Sequence, residues 1–70
     1  MNRAHLPIDR QDALRADLPR VVELLHHRRA GEIEEDVIND LVSLSWLEWA
    51  GGSLQLTTTG ENIRRQQLGN

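Results

Sequence analysis

The chain contains no cysteine, so neither a disulfide framework nor a thiolate metal site can brace it, and that usage fits a reducing cytoplasm best. Phenylalanine and tyrosine are also missing, which leaves Trp46 and Trp49 as the only aromatic residues and Leu, Ile and Val to fill a core. Lysine is absent too, so every basic residue other than histidine is an arginine. There is no long apolar run, and the opening MNRAHLP does not combine a basic region with an apolar block; neither secretion nor membrane insertion is expected. A net charge of −3 gives no general attraction for phosphate backbones.

What is present suffices for one small domain. A chain of 70 residues buries roughly 60% of its unfolded surface on folding, so self-association would help it, and a homodimer is expected. Residues 1–7 read as a flexible arm before a single domain over 8–70, because Pro7 disfavours helix just before it. Asp9 can cap a short first helix, and Asp17, with Pro19 in the following turn, can cap a second. The second helix carries Leu18, Val21, Val22 and Leu25 on one face and should run to about Ala30, with Gly31 as its stop. A third begins at Glu32. Its apolar row of Ile33, Val37, Leu41 and Leu44, flanked by Ile38 and Val42, is wide enough for burial on two sides, against the rest of the chain or against a second copy.

After Leu44 the rhythm changes. The residues Trp46 to Trp49 read as a strand, Ala50 to Ser53 as a tight glycine reversal, and Leu54 to Thr57 as the returning strand with period two. Thr58 stands at capping-box spacing from Glu61, which starts a final helix bearing Ile63 and ending near Gly69. The expected fold is mainly α with one β-hairpin: three helices, a hairpin and a C-terminal helix.

The stretch LVSLSWLEWAGGSLQLTTTG, Leu41 to Gly60, resembles the winged-helix-turn-helix family. Leu41, Leu44, Leu47, Gly51, Gly52, Leu56, Thr57 and Gly60 stand where that pattern puts them. The resemblance implies a small winged-helix-like domain whose third helix and wing contact DNA. Here the charges differ: the third helix opens with Glu34, Glu35 and Asp36, has Asp40 a turn later, and the wing tip carries no basic residue. Carboxylates repel phosphates. A DNA-binding regulator is therefore the second reading, with contacts falling to Arg28, Arg29, Arg64 and Arg65, joined by Arg3 and Arg10.

The first reading is a non-enzymatic module acting through protein–protein contact, with Trp46, Trp49, Ile38 and Val42 as interface residues and an unknown protein partner. Trp46 and Trp49 are three apart, so on one strand they face opposite sides, one filling the core and the other free as an anchor. A third reading makes the acidic helix a mimic of a phosphate backbone. No catalytic site, cofactor or metal is expected: His26 and His27 point about 100° apart on a helix, no serine lies in a nucleophile elbow, and the glycines form no phosphate loop.

Overall fold

A computed structural model describes residues 6–69. Most of the expected arm, including Arg3 and His5, lies outside them. Leu6 packs against the core and Pro7 is the N-cap of the first helix. The elements run α1 (Ile8–His26), a 3₁₀ turn (Ala30–Glu32), α2 (Glu35–Ser43), β1 (Leu47–Ala50), β2 (Ser53–Leu56) and α3 (Thr58–Leu68). The expected class, mainly helical with one antiparallel hairpin, is what forms. No helix among the described residues is long and apolar enough to cross a membrane.

The division of the first helical stretch is corrected. Asp9 and Asp17 do not cap separate helices; α1 is one helix of 19 residues with Pro19 in its interior. An internal proline costs about 3 kcal/mol. Leu14, Leu18, Val21 and Val22 form one buried stripe on both sides of it, and each such side chain contributes roughly 1.5–3 kcal/mol when fully buried, so continuity wins. Asp17 instead accepts two hydrogen bonds from Arg20, at 2.8 and 2.7 Å. Two α-helices and a 3₁₀ turn thus precede the hairpin.

The stop at Gly31 is corrected as well. Arg28 follows the last turn of α1 at φ 59°, its N–H donating to Leu25 and that of Arg29 to Leu24. This paired 5→2 and 6→1 closure satisfies carbonyls that a helix end would leave open. Ser45 repeats it after α2 at φ 66°, with Ser45 donating to Val42 and Trp46 to Leu41. Gly31 lies within the 3₁₀ turn, Ile33 is extended and buried, and α2 begins only at Glu35.

In the hairpin Leu47 pairs with Leu56, Glu48 with Gln55, Trp49 with Leu54 and Ala50 with Ser53. Gly51 and Gly52, at φ 60° and 83°, supply the two positive φ values that this two-residue reversal needs. The core joins the α1 stripe to Ile33, Val37, Leu41, Trp46 and Leu47. Ile38, Val42 and Leu44 are half-buried against it, so the wide stripe of α2 is used within the chain. The cap of α3 falls one residue before the expected position: Thr57 Oγ1 accepts from the Gly60 N–H at 2.9 Å. With Gly60 at the third helical position, Glu61 cannot close a capping box.

Candidate functional site

Strand periodicity puts Leu47 and Trp49 on one face of the hairpin, beside their cross-strand partners Leu56 and Leu54. The other face carries Glu48 and Gln55. At the base of the hairpin the apolar face is covered, and Leu47 is 1% exposed. Towards the tip the core runs out, and Trp49 is 59% exposed although it belongs to the inward face. Between the tip and the end of α1 lies a groove of about 590 Å³ lined by Leu25, Arg28, Ala30, Trp49 and Leu54, with Gly52 and Ser53 at the turn.

The two tryptophans do part company, but not by strand alternation. Trp46 precedes β1 and turns into the core directly after the left-handed Ser45, reaching 5% exposure. Its ring lies 5.8 Å from the Arg15 guanidinium, within cation–π range. Of the four expected interface residues, Trp46 is therefore closed off inside the chain, Ile38 and Val42 are half-buried, and Trp49 is open.

The arginines expected to meet DNA are mostly engaged. Arg29 forks onto Glu32 at 2.6 and 3.0 Å, Arg64 lies 3.0 Å from Glu61, and Arg65 lies 3.8 Å from it. The Arg29 hydrogen bonds hold Glu32 below the usual carboxylate range, and those of Arg64 do the same for Glu61, with Arg65 and His26 adding to it. Arg10 bonds Asp40 at 2.8 Å and lies 3.8 Å from Asp36. Among the described residues Arg28 has no carboxylate partner.

The acidic segment is likewise tied to α1. Arg20 reaches Glu34 at 3.2 Å while forking onto Asp17, which its hydrogen bonds hold below the carboxylate range. Glu35 and Asp36 fall in the first turn of α2, where the helix dipole favours them. His27 Nδ1 lies 2.9 Å from the Glu23 carbonyl oxygen. No three His, Asp or Glu side chains among the described residues converge as metal ligands would.

The groove brings together residues that the sequence pattern kept apart. Leu25 reads as core and Leu54 as a strand residue, while Arg28 and Ala30 fall in or near a helix end expected at Gly31. No residue pattern marks Arg28: with no glycine directly after α1, an arginine takes the left-handed position, and nothing in the sequence signals it. In comparisons with known proteins, no family model, no curated protein and no solved structure matches this chain.

Proposed function

We propose that the chain is a small winged-helix-like, non-enzymatic module that acts by protein–protein contact, and that the groove between the hairpin tip and the end of α1 is its docking surface. The observation that carries this reading is Trp49: an indole on the inward face of the hairpin that the rest of the chain leaves 59% exposed, at the edge of the groove. Covering the exposed part of an indole, on the order of 100 Å², contributes roughly 2–3 kcal/mol, the scale of an interface hot spot. The neighbouring Leu25, Ala30 and Leu54 extend the apolar lining, as a pocket for an inserted side chain requires. The wide stripe of α2 adds no argument for a second copy, since it packs inwards.

The DNA-binding reading has less support. It needs several cations facing phosphates, and Arg10, Arg29, Arg64 and Arg65 already face carboxylates. The mimic reading needs a free acidic face, and arginines of α1 bind Glu34 and Asp40.

Retention experiments with immobilised wild-type and Trp49→Ala domains test the proposal, alongside a sedimentation series for self-association. A protein retained by the wild type and lost with Trp49→Ala supports it, whether that protein is foreign or another copy. Equal retention by both variants contradicts it. Salt-sensitive binding of a labelled duplex at about 50 mM, lost at about 200 mM, would move the assignment to DNA.

A further inference from the structure

Arg10, Arg15, Arg20, Arg29, Arg64 and Arg65 each have a carboxylate within 3.8 Å. Arg28 is the one described arginine without such a partner, and it lines the groove beside Trp49. Its backbone stands at φ 59°, in the position closing α1 where glycine is strain-free and an arginine is not. A strained residue that forms no stabilising pair within the chain is the pattern found at binding sites.

We propose that the groove takes a segment of a partner protein in which an apolar side chain stands next to a carboxylate. The apolar side chain enters between Trp49, Leu54, Leu25 and Ala30, and the carboxylate pairs with Arg28. This names the chemistry of the partner and rests on the docking surface proposed above. Charge complementarity selects the occupant. A single unpaired guanidinium suits a single carboxylate, which it can grip through two parallel N–H···O bonds, whereas a nucleic acid would need several cations.

The test is selection of random peptides displayed on phage against immobilised wild-type, Trp49→Ala, Arg28→Glu and Arg28→Asn domains, each with unchanged circular dichroism. The wild type should enrich peptides that place Leu, Ile, Phe or Trp beside Asp or Glu, and Trp49→Ala should lose the enrichment. With Arg28→Glu the charged neighbour should switch to Lys or Arg. A peptide selected on the wild type should bind Arg28→Asn about tenfold more weakly, the loss expected for a hydrogen bond to a charged group.

Enriched peptides with no acidic preference, or with the same preference on Arg28→Glu, would overturn the partner chemistry and leave the docking surface standing. No enrichment on the wild type would overturn this proposal, and the retention experiment would then decide separately on the docking surface. A dimer lost with Trp49→Ala, without peptide enrichment, would assign the groove to a second copy. Salt-sensitive duplex binding abolished by Arg28→Glu would assign it to nucleic acid.

Discussion

Gly60 packs against the carbonyl group of Trp46 so closely that a Cβ at Gly60 would run into the Trp46 oxygen and then the Leu56 side chain. That oxygen also accepts the Thr57 N–H at 3.0 Å, so the first turn of α3 is held directly on the backbone that leads into β1. The obstacle is main chain and cannot swing aside. Gly60→Ala should therefore destabilise the domain by about 3 kcal/mol or more, the upper end for overpacking, read as a lower urea midpoint. A midpoint within error of the wild type would contradict this packing.

The cap of α3 can be located by comparing neighbouring threonines. Thr57 Oγ1 accepts from Gly60 N–H and lies 2.6 Å from the Ser45 carbonyl oxygen and 3.0 Å from that of Trp46, whereas Thr58 is exposed. Thr57→Ala should cost about 1 kcal/mol. Thr58→Ala should stay within about 0.5 kcal/mol of the wild type. The reverse order would restore the capping box at Thr58.

Arg28 should be replaceable with a gain in stability. Arg28→Gly removes the penalty of a left-handed arginine and breaks no ion pair among the described residues, so thermal unfolding should show a gain of about 1 kcal/mol. Gly52→Ala, at φ 83°, should lose a similar amount for the opposite reason. If Arg28→Gly were destabilising, the guanidinium would have to be stabilising the fold.

Acid should act through carboxylates whose pKa lies below its unfolded value, as for Asp17, Glu32 and Glu61. Their contribution is present above the unfolded pKa and is lost as pH falls through the folded one. Stability should thus hold between about pH 8 and 5 and decline below about pH 4. Asp17→Asn should shallow that decline while lowering stability at neutral pH. A decline already complete at pH 5 would point to another group.

Much of this architecture was legible in residue order. The stripe of Val37 and Leu41, the glycine pair at Gly51 and Gly52, and the alternation of Leu54 and Leu56 report local geometry, and local geometry decides those elements. Pro19 misleads because its penalty is local, while the buried stripe that overrides it spans the helix. Arg28 hides the end of α1 because its left-handed cap carries no glycine, whereas the end of α2 at Ser43 is legible from the change of rhythm after Leu44 even though Ser45 is no glycine either. The candidate site was half legible. That one tryptophan would be open is foreseeable from the hairpin, but Trp49 is open on the inward face, so its exposure and the groove under it depend on how far the core reaches along that face, and Arg28 stands out only once the other arginines are seen with their carboxylates.

The most direct measurement is acrylamide quenching of dilute single-tryptophan variants, Trp46→Phe and Trp49→Phe, with fold checked by circular dichroism. If the hairpin tip overhangs an open groove, Trp49, at 59% exposure, will quench markedly faster than Trp46, which at 5% stays protected. Protection of Trp49 to the same degree as Trp46 would contradict it, because the inward face would already be covered and no docking surface would remain.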